Sequence, residues 1–145
     1  MPVALYFLIP VLCCASWSDW KERRIPNFLL LPAFALAILL NLVTRGLDGL
    51  LFSLGGTLFG LILLLIPFLL GGIGAGDVKL LMVIGSFGGV KLVLSSFLIG
   101  AILGGIVALS LLLYRKISGL KIEFFSYGIP LVLGTLGYIF LEYLR

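Results

Sequence analysis

The sequence predicts an all-α integral membrane protein of about six transmembrane helices, with the N-terminus and C-terminus outside and a glycine-rich loop dipping into the bilayer before helix four. Two observations carry the class. Of 145 residues, 62% are hydrophobic and only 11% charged, with a mean hydropathy of +1.31, which leaves too little polar surface to clothe a water-soluble domain. The apolar residues also fall in runs of about 20, the length at which a helix crosses a ~30 Å hydrocarbon core, and alternating barrel strands are absent. A third observation, the short run after the glycines at 71–76, places the loop and is argued below.

Composition narrows function as well. The net charge of +4 is small and its Lys and Arg flank apolar runs, so they read as topology determinants and no nucleic-acid partner is expected. There is no histidine, which removes imidazole acid–base catalysis and the commonest metal ligand. Cys13 and Cys14 are adjacent inside an apolar run, without metal-ligand spacing and badly placed to pair with each other; they read as residues packed in a helix. No metal and no cofactor is expected.

The elements follow in order. Helix one runs from about Pro2 to Ser18, with Pro10 a candidate kink. Its basic cluster follows the apolar run rather than preceding it, so it reads as a retained span and not a signal peptide. Asp19-Trp20-Lys21-Glu22-Arg23-Arg24-Ile25-Pro26-Asn27 is the most polar stretch. Pro26 suits the first turn of helix two, where its missing N–H costs nothing; that helix extends to about Thr44. Arg45 to Asp48 makes a short turn, and helix three covers Gly49 to Leu70, with Gly56 and Gly60 on one face for close helix approach. Gly71 to Gly76 holds four glycines in six residues, a poor helix. Helix four begins near Asp77 and ends before Lys91. At 1.5 Å per residue it is only ~21 Å long, so the glycine loop should begin below the membrane surface, where such backbone needs protein or a wet cavity around it. Helix five runs from about Leu92 to Tyr114, Arg115 to Glu123 connects, and helix six covers Phe124 to Leu144. No repeat or long linker divides the chain, which reads as a single domain, 1–145.

Sidedness follows from charge. Lys21, Arg23, Arg24, Lys79, Arg115, Lys116 and Lys121 fall on the odd connections, against Arg45, Lys91 and Arg145 on the other side. The excess places the odd connections in the cytoplasm. Asp19 and Asp77 then share the cytoplasmic face, with Asp48 opposite. Trp17 and Trp20 read as interfacial anchors.

Two carboxylates at one membrane face can hydrolyse a peptide bond. One takes a proton from water, the other protonates the oxyanion and leaving amine, and a pair held close shares one proton. An intramembrane aspartate is otherwise costly, by roughly 2.5–3.5 kcal/mol on insertion scales. On residues alone, other readings stand beside this one. Asp77 at a helix start is a natural cap, Asp19 a polar interfacial residue, and Lys79 a partner for Asp77 or a snorkelling side chain. A small proton- or ion-coupled transporter component with an Asp/Lys site at a broken helix is the alternative function, although no second broken helix stands in a corresponding half.

Gly74-Ala75-Gly76-Asp77 matches the Gly-x-Gly-Asp signature of intramembrane aspartyl proteases, and Val78-Lys79-Leu80-Leu81 continues it as in the type IV prepilin peptidase family. Asp19 followed by Ile25-Pro26-Asn27 resembles the other half of that family's pattern; Gly85 and Tyr127-Gly128-Ile129-Pro130 resemble it more weakly. Asp19 follows Ser18, unlike the Tyr-Asp pair of the presenilin branch. The resemblance implies a transmembrane peptidase domain, multi-pass in the cell (cytoplasmic or inner) membrane, with its active site at the cytoplasmic face. Its substrate would be a prepilin, pseudopilin or preflagellin, with a short basic leader ahead of a hydrophobic helix.

The resemblance makes Asp19 and Asp77 the catalytic pair. In support, Gly74 and Gly76 would take positive φ and let substrate backbone approach. Lys79 would tune Asp77 or meet an acidic group on the substrate. Pro26 and Asn27 would fix the entry of helix two, with Asn27 offering its amide to backbone. Glu22 is the acidic residue nearest for a basic leader, while Lys21, Arg23 and Arg24 read as headgroup contacts. The four-cysteine zinc domain of longer members has no counterpart here, so a peptidase without the methyltransferase is expected. The individual substrate, the oligomeric state and the resting distance between the aspartates stay open.

Overall fold

A computed structural model describes residues 4–22, 25–118 and 128–144, with the side chains of 4, 22 and 111–118 left aside. Arg23, Arg24, Lys121, Glu123 and the expected start of helix six at Phe124 lie outside the described residues. Among these the fold is all-helical: α1 (Ala4–Glu22), α2 (Asn27–Arg45), α3 (Leu47–Leu69), α4 (Ala75–Ser118) and α5 (Gly128–Leu144). Three stretches are long and apolar enough to cross a membrane, Asn27–Arg45, Leu47–Leu69 and Ala75–Ser110, and α5 is a shorter apolar helix. The protein is therefore an all-α membrane protein, as composition required.

Two of the helix junctions are single glycines. Gly46, at φ 64°, ends α2 by donating its N–H to the Leu42 carbonyl at 2.8 Å. Its own carbonyl accepts from Gly49 and Leu50 at 3.1 and 3.3 Å, so α3 starts on the next residue. The expected four-residue turn is thus one residue, because left-handed glycine closes a helix end without further chain. The long α4 breaks the same way at Gly89 (φ 68°, ψ −168°), giving a first limb, 75–88, and a second, 90–118. That break falls just before the boundary expected at Lys91.

The second limb runs back along the first. An added Cβ at Gly85 would meet Val93, and Gly100 and Ser96 of the second limb lie against Leu131 and Gly134 of α5. The pairing makes the second limb antiparallel to α5. The first limb is the pillar of the core, with Leu80, Leu81, Ile84 and Phe87 wholly buried. It meets α3 backbone to backbone, where a Cβ on Gly56 would run into the Gly85 carbonyl and one on Gly60 into that of Leu81. The predicted Gly56 and Gly60 face is therefore used as expected.

Close approach is reinforced by a buried polar pin. Asn41 Nδ2 donates to Ser53 Oγ and to the Ser86 carbonyl, both at 2.9 Å, and Ser53 Oγ donates to the same carbonyl at 2.8 Å. In an unbroken helix that carbonyl would accept from residue 90, beyond the break at Gly89. Side chains of α2 and α3 supply donors where hydrocarbon offers none.

Gly55 and Gly56 give a paired test. Gly55 faces open space, so Gly55→Ala should leave thermal stability in detergent unchanged or raise it, by about 0.5–1 kcal/mol from helix propensity. Gly56→Ala should lose most of the folded protein, because its methyl group collides with backbone that cannot move aside. Equal melting curves for the two variants would refute the close α3–α4 contact.

Candidate active site

The site begins with the way α3 hands over to α4. Gly71, at φ 75°, ends α3, its N–H donating to the Phe68 carbonyl at 3.0 Å while that of Gly72 reaches Pro67 at 2.9 Å. The Gly74 carbonyl then accepts from Asp77 and Val78 at 3.1 and 3.4 Å, opening α4 at Ala75, two residues earlier than expected. Positive φ was expected at Gly74 and Gly76 but falls on Gly71, since the reversal is made at the end of α3 and Gly76 already lies in the helix. A Cβ on Gly76 would sit 3.5 Å from the Ile25 Cβ, and one on Gly74 3.7 Å from Asp77 Oδ2, both ordinary contacts.

Asp77 is the third residue of α4, and Asp19 lies in the last turn of α1. Only 4% of Asp19 and 6% of Asp77 are exposed. They converge on a third element. The position of a Cβ added to Gly128, at the described start of α5, lies 2.7 Å from Asp19 Oδ2 and 3.0 Å from Asp77 Oδ1. The two oxygens are therefore no farther apart than the sum of those distances, close enough to bracket one water molecule. The separation left open by the sequence is thus short in this structure. Asp48 lies at the other end of α3, beside Gly46, away from the pair.

Ile25, Pro26 and Asn27 dock beside the pair. Buried Ile25 packs on Gly76. Pro26 is the extended residue just before α2 (φ −71°, ψ 138°), and its carbonyl accepts from Leu29 and Leu30; it caps the helix rather than occupying its first turn. Lys79 Nζ donates to Asn27 Oδ1 at 3.0 Å. This bond was not expected for either residue. The Asn27 side-chain oxygen receives Lys79, which reaches across from near the start of α4 to the start of α2. The bond ties α4 to α2 at the rim of the site.

Depth follows from helix register. Gly60 of α3 meets Leu81, so Asp77 is about level with Leu64, and α3 continues five residues, or ~8 Å, past it. The second limb of α4, level with Gly128 near residue 103, likewise continues to Ser118 and carries exposed Ile106 and Leu109. By contrast, α1 and α2 end and begin at the level of the pair. The carboxylates thus lie below the ends of two flanking helices and near the rim on the α1–α2 side. Trp17 and Trp20 are exposed on α1 at that level, and Cys13 and Cys14 are free and face outward from the same helix.

Sequence reasoning placed the two aspartates and the glycine turn but gave Gly128 only a weak resemblance. Its contact is non-local, and a glycine backbone carries no chemistry to single it out.

A family model described as the type IV leader peptidase family matches residues 6–109, a span that holds both aspartates and stops short of Gly128. The comparison with curated proteins and that with solved structures gave no match.

A double-mutant cycle tests the convergence. Gly128→Ala should destabilise the protein in detergent, and the loss should shrink in an Asp19→Ala background, with a coupling of about 1–3 kcal/mol, the range for residues in contact. Additive effects would place Gly128 away from Asp19.

Proposed function

The chain belongs to the type IV leader peptidase family, and from that premise we propose a membrane-embedded aspartyl endopeptidase that removes the leader peptide of prepilin-like, pseudopilin or preflagellin precursors at the cytoplasmic membrane face. The observation that carries this reading is the meeting of the Asp19 and Asp77 carboxylates at Gly128, in a protein whose composition commits it to the bilayer.

In this reading the ionised member of the pair takes a proton from a water held between them. The water oxygen bonds to the scissile carbonyl carbon while the protonated member gives its proton to the carbonyl oxygen. Collapse of the resulting diol breaks the C–N bond: the member that took the water proton gives it to the amine nitrogen, a diol hydroxyl returns its proton to the other member, and the pair ends with one proton again. Assignment of base and acid belongs to the pair rather than to either residue. Gly128 forms the tight wall that keeps the carboxylates together, and the Lys79–Asn27 bond with Pro26 holds their supporting segments in register. Gly74 starts the helix bearing Asp77, and Gly76 lets Ile25 close beside it.

In this reading each of the four unbroken helices and each limb of α4 is a crossing, six in all. The basic excess on the odd connections turns the carboxylates toward the cytoplasm and both termini outward. A precursor with an apolar helix reaches the site from the bilayer, its basic leader remaining on the cytoplasmic side.

The test uses purified protein in lipid and a peptide with a short basic leader, a glycine and an apolar helix, with products read by mass. The parent chain should cut once, at the leader junction. Asp19→Asn and Asp77→Asn should each lower the rate by at least about 10²-fold while leaving thermal stability nearly unchanged, since asparagine matches aspartate in size and still offers hydrogen-bonding groups. Cleavage that survives either substitution would remove that residue from the mechanism. Ion flux without cleavage would favour the transporter alternative.

A further inference from the structure

The seam between α1 and α5 carries more than the carboxylates. At one end lie Asp19 of α1 and Gly128 of α5. Toward the other end the same two helices part to form a trough of about 450 Å³, lined by Leu5, Ile9, Leu136, Ile139 and Phe140 among others, with almost no polar wall. Phe140 and Tyr6 stand exposed at its border, so it opens sideways into hydrocarbon.

Several other seams are shut. Gly56 against Gly85 closes α3 on the first limb of α4, and Gly100 and Gly134 close the second limb on α5. The hydrogen bonds of Asn41 and Ser53 pin α2 and α3 to the first limb. An apolar segment lying in the membrane and ending at the carboxylates can follow α1 and α5, the two helices that run from the pair to the trough.

We propose that this trough is the docking site for the apolar helix of the substrate, downstream of the bond that is cut. The assignment rests on the leader-peptidase reading above, and names where that substrate is held. Its argument is continuity. Ile9 lies ten residues from Asp19 and Leu136 eight from Gly128, with Leu5 and Ile139 farther along, so at 1.5 Å per residue the trough begins ~12–15 Å from the pair and extends to ~17–21 Å. A helical substrate with its scissile bond at the pair places residues about eight to fourteen beyond that bond in the trough. A lateral opening lets it enter without taking apolar side chains through water, and the cost of leaving them there would be ~0.8 kcal/mol per CH₂.

The experiment compares two substrates: one with a full apolar helix, and one ending about six residues after the cleaved bond, so that at 1.5 Å per residue it stops short of the trough. Leu136→Trp and Ile9→Trp fill the trough from opposite walls, and Leu58→Trp on the exposed face of α3 serves as control. For the long substrate, KM should rise about 10-fold or more in both trough variants, as a loss of uniform binding does, with kcat little changed. The short substrate and the control should match the parent. A photo-reactive residue at position 136 should capture the middle of the long substrate's helix. Unchanged KM in both trough variants, equal loss on both substrates, or capture of lipid alone would each overturn the assignment. If the parent cuts neither substrate, the peptidase reading fails and takes the trough's role with it. Cleavage of both substrates without discrimination by the trough variants leaves the peptidase standing and removes the trough.

Discussion

The structure depends on burying carboxylates in a medium that offers them no hydrogen bonds. A charged group inside hydrocarbon has to be met by protein, and here protein arrives from three directions. The end of α1 brings Asp19, the start of α4 brings Asp77, and α5 closes over both with a residue that has no side chain. The rest of the fold serves that meeting. The first limb of α4 is sunk into the core so that its first turn is not free to drift. Glycine contacts with α3 fix its height, and the Asn41–Ser53 pin fixes its far end. Displacing any of these would move Asp77 relative to Asp19, which is held by a different helix.

What was legible in the sequence was local chemistry. Long apolar runs declared the membrane class, and glycines next to Asp77 declared a break in the helices, because each depends on residues adjacent in the chain. The Gly56 and Gly60 face was legible for the same reason: four residues apart is one helical turn. Errors arose where a partner came from far away. Gly74 and Gly76 were assigned the strained backbone that belongs to Gly71, since four glycines in six residues do not say which one turns the chain. The bond between Lys79 and Asn27, across fifty-two residues, was not foreseen for either residue. Gly128 lies 51 residues from Asp77 and 109 from Asp19, and only the folded chain reveals why no side chain fits there.

Economy of connection is the second lesson. Gly46 and Gly89 each reverse the chain within one residue at the side away from the carboxylates. Because their left-handed backbone closes the helix ends directly, those connections take up almost no chain. A four-residue turn at Arg45 to Asp48 had been expected from its polar composition. The structure instead absorbs Leu47 and Asp48 into α3, whose first N–H groups favour an acidic neighbour, and Arg45 lies over the Phe52 ring at 4.8 Å.

The unequal heights of the helices around the carboxylates bear on the lipid as well as on the protein. Where α3 and the second limb of α4 rise past the site, the apolar belt is tall; where α1 gives way to α2, it is low. A bilayer of uniform thickness cannot match both heights, so headgroups dip toward the low side at a cost of a fraction of a kcal/mol per Å. That dip shortens the distance from bulk water to Asp19 and Asp77. Hydration of a site ringed by helices of unequal height is thereby tied to hydrophobic mismatch, and the surrounding membrane becomes part of the path by which water reaches the two carboxylates.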